Sequence, residues 1–148
     1  MRKIPVIAGF VLLACAAPAQ ELPAGPFNAA QVDAGRAAYI DHCMMCHGAK
    51  LQGLGEAQAL VGKDFVDLWG HDTAGELYTS VRIEMPQNDP GSLSDEMYLN
   101  LVAFLLHANG AKTGTVPLDP KSAVKIETIV TGGPSADVAA GLKSAKAP

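Results

Sequence analysis

Hydrophobic residues recur at helical spacing in three stretches of the chain, and these stretches predict the framework of the fold. The first begins near Asn28, a suitable N-cap residue, and leads directly into Cys43. The second begins at a capping-box sequence, Thr73 to Glu76. It ends before Met85-Pro86, because a residue that precedes proline is disfavoured in the helical region. Two helices are therefore expected, one between Asn28 and Cys43 and one between Thr73 and Met85.

The third stretch carries the clearest helical pattern. It begins after Ser92 or Ser94 and ends at Asn109-Gly110. Its apolar residues repeat every three or four positions and form one broad face for burial. They are Met97, Tyr98, Leu101, Val102, Leu105 and Leu106. The three stretches together predict an all-α fold, a bundle of three to four helices.

Two segments lack such a pattern. Residues 48–62 contain four glycines, which predicts a loop that can lie close against a flat ligand. From Ala111 onward the chain is rich in Pro, Gly, Ser, Lys and Ala, apart from an apolar cluster between Val124 and Val130. This tail is expected either to wrap over the domain or to form a partly mobile arm.

The N-terminus has the features of an export signal. Arg2 and Lys3 give a positively charged start. An apolar run from Pro5 to Ala14 follows, and Ala17-Pro18-Ala19 is a small-residue cleavage site. The run is too short to span a bilayer as an anchor of the mature protein. We therefore predict a signal peptide over residues 1–19 and a periplasmic location.

The remaining residues divide into three parts. A linker is predicted over residues 20–29, one domain over residues 30–110 and the tail over residues 111–148. Only the middle part is patterned strongly enough to bury a core. No membrane span is expected after removal of the signal.

Cys15 offers an alternative to simple export. The residues before it, Leu12-Leu13-Ala14, resemble a bacterial lipoprotein cleavage site, in which the cysteine becomes the acylated first residue. Leu13 is uncommon at its place in such a site, and a second cleavage site follows. A cysteine within an ordinary signal peptide is therefore favoured over a lipid anchor through Cys15.

The composition adds an acidic surface to this picture. The chain has 11 basic and 15 acidic residues, and loss of Arg2 and Lys3 with the signal changes its formal net charge from −4 to −6. This charge disfavours nucleic acid and anionic lipid, and it suits a partner protein with a basic patch. Aromatic residues make up only 5% of the chain, so an apolar cofactor would supply bulk that the core lacks.

The strongest chemical signal is the sequence Cys43-Met44-Met45-Cys46-His47. Two thiols separated by two residues can reach the two vinyl groups of one porphyrin, and the adjoining histidine then faces the iron. The motif predicts one covalent haem c, held by thioether bonds at Cys43 and Cys46, with His47 as the proximal iron ligand. In bacteria this attachment is completed outside the cytoplasmic membrane, in agreement with the export signal.

Two cysteines at this spacing also occur in redox dithiols, zinc sites and structural disulfides. A redox dithiol would normally lie in an alternating α/β pattern, which is missing here. Zinc would need a second pair of ligands, and His42, His71 and His107 do not provide one at the usual spacing. Haem attachment is therefore preferred.

A sixth ligand to the iron has to come from elsewhere in the chain. Met85 is the best candidate, because it lies on a loop that Pro86 stiffens and that is long enough to cross the porphyrin. Other methionines lie on the proximal side or on the apolar face of the last helix, and the histidines suit surface or capping positions. These alternatives are Met44, Met45, Met97, His71 and His107.

Ligation by His47 and Met85 would raise the reduction potential and leave no open position on the iron. The expected function is electron transfer from an extracytoplasmic dehydrogenase to a respiratory acceptor, without enzymatic activity. Two alternatives stay open. One is a haem enzyme or sensor in which Met85 is labile, and the other is a fixed subunit of a dehydrogenase complex with the tail as its clamp.

Residues 30–110 resemble a class I c-type cytochrome. The resemblance rests on Gly35, Tyr39, Cys43 to His47, Met85-Pro86, Tyr98 and Leu101. It implies a cytochrome c-like bundle around one covalent haem, in which the first and last helices cross closely at Gly35. The stretch from Pro90 to Gly110 is similar to cytochrome domains that serve pyrroloquinoline quinone alcohol dehydrogenases. This similarity implies a quinoprotein dehydrogenase as one possible redox partner, beside a terminal oxidase or another cytochrome.

One position departs from the family pattern. The family usually carries a proline two residues before the leucine of its Leu-x-Gly loop, and the carbonyl of that proline accepts a hydrogen bond from the proximal histidine. Gln58 stands at this place. Since Gln58 also has a carbonyl, we predict that the bond to His47 survives in a less rigid loop. Trp69 resembles a family aromatic near the haem propionates, with a core or rim position as the alternative.

Overall fold

A computed structural model describes residues 21–143. The predicted signal peptide, its cleavage site and Cys15 lie outside the described residues, as do residues 144–148. The elements are β1 (Ala24–Asn28), α1 (Ala29–His42), α2 (Met44–His47), α3 (Lys63–Trp69), α4 (Ala74–Glu84), α5 (Asp95–Ala108), β2 (Lys112–Gly114) and α6 (Ala136–Ala140). A 3-10 turn, Ile126–Thr128, lies between β2 and α6.

The predicted helical fold is confirmed, and the three predicted helices correspond to α1, α4 and α5. Each begins at a side chain that accepts a hydrogen bond from the first turn. The caps are Asn28, Ser94 and Thr73, the last of which forms a complete capping box with Glu76. The further helices α2, α3 and α6 are short. None of the helices within residues 21–143 is both long and apolar enough to cross a membrane.

Helices α1 and α5 pack directly against each other, and Gly35 makes the close approach possible. A Cβ atom at Gly35 would lie 1.8 Å from the carbonyl oxygen of Asn100 and 2.8 Å from Cβ of Phe104. Beside this contact the rings of Tyr39 and Phe104 pack at 5.4 Å between centroids, with their planes tilted by 50°. The implied crossing of the first and last helices at Gly35 is therefore present.

A short parallel pair of strands, β1 with β2, joins the two ends of the domain. Its register pairs Ala24 with Lys112 and Asn28 with Gly114, with an irregularity between them. Phe27 on β1 is fully buried. The pair fixes the chain before α1 to the chain after α5.

The tail wraps over the domain through its described residues, 111–143. Its backbone bonds successively to three regions: the start of α4, the end of α5 and the loop after α2. The bonds are Gly75 N to Ser122 O, Ala74 N to Val124 O, Thr131 N to Asn109 O and Leu142 N to Ala49 O, at 2.7 to 3.0 Å. Ile126, Ile129 and Val130 are buried in the same core as α5. Of the two arrangements predicted for the tail, these residues adopt the wrapped one.

Candidate haem site

The Cys43 to His47 motif forms one helical turn at the end of α1. The amide of Cys43 donates to Tyr39 O at 2.9 Å, and the amide of His47 donates to Cys43 O at 2.9 Å. Residues three apart in such a turn lie on the same side, so Cys43 and Cys46 form a pair. Both are free thiols, with no disulfide between them. The turn therefore offers two thiols and one imidazole from adjacent positions.

Cys43 shows no sign of the activated thiol that a redox dithiol uses. Burial, together with the neighbouring Cys46, raises the pKa of the Cys43 thiol to about 11. A reactive dithiol depends on a lowered thiol pKa, because the thiolate is the nucleophile. The raised pKa gives no support to the redox-dithiol alternative.

The ring of His47 is buried and is hydrogen-bonded to Gln58, the residue that departs from the family pattern. Its Nδ1 lies 2.9 Å from the carbonyl oxygen of Gln58. A carbonyl oxygen can only accept, so Nδ1 carries the proton and Nε2 keeps a free lone pair for a metal. The predicted bond between His47 and Gln58 is confirmed.

Tyr39 supports the same turn from α1. Its hydroxyl donates to the carbonyl oxygen of Gly48 at 2.7 Å. Burial and the nearby Cys43 raise the pKa of Tyr39, which keeps the hydroxyl protonated as a donor. Gly48 has a φ of +80°, in the left-handed region that favours glycine, and there the chain leaves α2. Tyr39 and Gly48 thus fix the backbone on the C-terminal side of His47.

Asn109 is a supporting residue that sequence reasoning assigned only to the end of a helix. It is fully buried at the C-terminus of α5. Its Nδ2 donates to Leu60 O at 3.0 Å and to Leu105 O at 2.9 Å, and its Oδ1 accepts from Gly62 N at 2.9 Å. Asn109 therefore ties α5 to the loop that carries Gln58. A polar residue directly after an apolar helix is the only signal the sequence holds for this role.

Replacement of Asn109 by alanine is expected to lower the free energy of unfolding by about 2 kcal/mol, because a buried carbonyl of Leu105 and half-buried backbone groups of Leu60 and Gly62 lose their partner. Urea denaturation of the haem-loaded protein measures the change. Asn88→Ala, in an exposed loop, is the matched control and should change stability by less than about 0.5 kcal/mol. Equal effects of the two substitutions would contradict the role of Asn109.

Met85 lies at the C-terminal end of α4, where the chain becomes extended. Its amide donates to Val81 O at 3.0 Å, and its carbonyl accepts from the hydroxyl of Tyr98 at 2.6 Å. The Met85 side chain is half-buried. Since α5 packs against both α1 and α4, it links the part of the chain that carries His47 to the part that carries Met85.

The alternative axial residues lie in different environments. The His71 side chain is 90% exposed and pairs with Glu127 at 3.0 Å. Nδ1 of His107 lies 3.2 Å from Ala111 O, just beyond the end of α5. Met97 is half-buried on α5 and packs against the core. Trp69, at the end of α3, is also half-buried against the core.

The donor set fits a covalently attached haem. It provides a pair of free thiols, an oriented imidazole and a half-buried thioether. Apolar side chains on the adjoining loops are only partly covered by protein. They are Leu54, Leu60, Val61 and Leu93. Within residues 21–143, no three His, Cys, Asp or Glu side chains gather into a group that could hold a metal ion, as a zinc site would need.

The fold and the motif define a c-type cytochrome domain. A family model described as cytochrome c oxidase, cbb3-type, subunit III, matches residues 30–105, just over half of the 148 residues. The chain belongs to this family of c-type cytochrome domains. Its cofactor is accordingly haem c, and its role is haem electron transfer with redox partner proteins.

Similar solved structures include two dehydrogenases. The sulfane dehydrogenase SoxCD from Paracoccus pantotrophus is 22% identical, with a TM-score of 0.45 over 81% of this chain and 68% of that chain. The thiosulfate dehydrogenase TsdBA from Marichromatium purpuratum, in its as-isolated form, is 24% identical, with a TM-score of 0.42. That match covers 60% of this chain and 19% of the other. A comparison with curated proteins finds no match.

Proposed function

We propose that the protein is an exported monohaem electron carrier. Cys43 and Cys46 would hold the haem covalently, and His47 and Met85 would be the two side-chain ligands of its iron. The observation that carries the proposal is the bond from Nδ1 of His47 to Gln58, beside two free thiols one helical turn apart. When bound, the haem supplies a one-electron Fe(III)/Fe(II) couple.

The protein's own residues account for the properties of a carrier. The bond to Gln58 fixes the tautomer and orientation of His47 and increases its basicity as a ligand. Met85 offers a thioether sulfur, which favours the ferrous state and raises the reduction potential. With His47 and Met85 both bound to it, the iron would have no open position for a substrate. The proposal is therefore an electron carrier and not an enzyme.

The proposed location is the periplasm, with redox partner proteins and no membrane span after signal removal. The basic start and apolar run of residues 1–19 support export. The excess of acidic residues supports a partner with a basic patch. A quinoprotein dehydrogenase is proposed as the donor, from the similarity of residues 90–110. A terminal oxidase or another cytochrome is proposed as the acceptor.

A fixed subunit of a dehydrogenase complex, clamped by the tail, is the second candidate. In this arrangement the apolar cluster between Val124 and Val130 would bind the partner subunit. Ile126, Ile129 and Val130 are buried against the protein's own α-helical core, and Val124 packs partly against it. The cluster is thus already used within the domain, which favours the carrier.

Met85→Ala tests the proposal. Loss of the Met85 sulfur should abolish the methionine-sulfur charge-transfer band of the oxidised protein. It should also allow carbon monoxide to bind the iron of the reduced protein. The potential should fall by about 0.1–0.3 V, within the roughly 0.8 V over which axial ligands set haem potentials. Redox-difference spectroscopy of the periplasm-expressed variant and wild type measures these changes.

Met97→Leu is the matched control for this experiment, because Met97 packs against the core on α5. It should keep the wild-type spectrum and potential. An unchanged spectrum in Met85→Ala would overturn the ligand assignment while leaving haem attachment intact. Rapid carbon monoxide binding by the wild type would instead favour a haem enzyme or sensor with a labile Met85.

A further inference from the structure

Tyr98 closes the loop that follows Met85. Its side chain is fully buried on the first half of α5. The hydroxyl donates to the carbonyl oxygen of Met85 at 2.6 Å and accepts from the amide of Leu93 at 3.4 Å. One hydroxyl therefore contacts both ends of the loop, residues 85–93, with a short bond at Met85 and a long one at Leu93.

The rest of this loop is weakly held. Residues 87–92 are all exposed. Of its internal backbone bonds, Asp89 N to Pro86 O has an ordinary length of 2.9 Å, whereas Ser92 N to Asp89 O is 3.3 Å and Gly91 N to Met85 O is 3.4 Å. Long bonds at the surface compete with water and resist opening poorly. The loop thus depends on its ends to keep its conformation.

A second connection across the loop lies at the surface. Nε of Arg82 contacts Oδ1 of Asp95 at 2.7 Å, but the two side chains are 45% and 68% exposed. Exposed ion pairs contribute little to stability, since water and salt screen them. The buried hydroxyl of Tyr98 is the stronger of the two connections.

We propose that Tyr98 is a positioning residue that controls how readily Met85 leaves the iron. The inference rests on the proposed ligation by Met85. Without the hydroxyl, the Met85 carbonyl and the Leu93 amide lose a common partner, and the loop opens more often. Each opening would move the Met85 sulfur away from the iron and leave a position that an external ligand could take. Tyr98 would thereby keep the protein an electron carrier and prevent it from becoming a ligand-binding haem protein.

The test is imidazole binding to the oxidised, haem-loaded Tyr98→Phe variant. Phenylalanine retains the ring that fills the core, so the fold should persist. We expect an apparent association constant for imidazole about tenfold higher than that of the wild type, since the loss of one hydrogen bond worth about 1.4 kcal/mol corresponds to a tenfold change. Without imidazole, the variant should still show the methionine-sulfur band.

Two comparison variants separate this role from a general loss of stability. Arg82→Gln breaks the exposed pair and should bind imidazole within about twofold of the wild type. Tyr39→Phe removes a similarly short hydroxyl-to-carbonyl bond, 2.7 Å, on the His47 side. It loosens the turn that carries His47 and leaves the loop at residues 85–93 intact, so the imidazole association constant of Tyr98→Phe should exceed that of Tyr39→Phe at least about fivefold.

The outcomes distinguish this inference from the proposed function. If Met85→Ala changes the spectrum but Tyr98→Phe binds imidazole no better than the wild type or Tyr39→Phe, the inference on Tyr98 is wrong and the ligand assignment stands. If Met85→Ala leaves the spectrum unchanged, the ligand assignment is wrong, and with it the role of Tyr98.

Discussion

Replacement of both Cys43 and Cys46 by alanine is expected to abolish covalent haem attachment completely. The two free thiols lie on the same side of one helical turn, and the proposed thioether bonds have no other anchor in the motif. Haem that remained would be held only by His47 and Met85, and denaturation would release it. Haem staining after denaturing electrophoresis, with acid-acetone extraction of the same sample, measures the loss.

The single variants and Cys15→Ser are the controls. Each of Cys43→Ala and Cys46→Ala should keep a covalent haem through one thioether bond, with a shifted absorption maximum. Cys15 lies outside the motif, and Cys15→Ser should keep both bonds. Covalent haem in the double variant would mean that another side chain is the point of attachment.

A single methyl group at Gly35 is expected to lower the free energy of unfolding by about 3 kcal/mol or more. The Cβ atom of Gly35→Ala would lie 1.8 Å from the backbone oxygen of Asn100 and 2.5 Å from its carbonyl carbon. Backbone atoms cannot rotate away as a side chain can, so α1 and α5 would have to separate. Denaturant unfolding of the haem-loaded protein measures the cost.

Gly133→Ala is the matched control for Gly35→Ala. The nearest atom to a Cβ at Gly133 is Oγ1 of Thr131, at 3.9 Å, which is an ordinary contact. The control should change stability by less than about 0.5 kcal/mol. If Gly35→Ala were as stable as Gly133→Ala, the close crossing of α1 and α5 would be wrong.

The sequence predicted those features that depend on local pattern or on covalent spacing. The helices α1, α4 and α5 could be located because their caps and apolar repeats lie within each segment. The bond from His47 to Gln58 could be predicted despite the unusual residue, because every residue carries a backbone carbonyl. The lower rigidity expected for this loop remains a prediction.

Features that depend on distant parts of the chain could not be derived. The strand β2 has only three residues, and it exists because β1 lies beside it in space. For the tail, the sequence left two alternatives open, packing over the domain or forming a mobile arm. The burial of Ile126 and Ile129 depends on surfaces formed by other segments. From the sequence alone, Tyr98 could be assigned only to the apolar face of a helix, and Asn109 only to the end of that helix. Their hydrogen bonds to Met85, Leu60 and Gly62 arise from tertiary structure.

The most direct test of the central claim is a potentiometric titration of the purified, exported protein, monitored through its absorption spectrum. A single haem with His47 and Met85 as ligands should give one reversible one-electron transition, in which the methionine-sulfur band of the oxidised form disappears on reduction. A protein without a haem-dependent transition, or with an oxidised spectrum that lacks the sulfur band, would contradict the account.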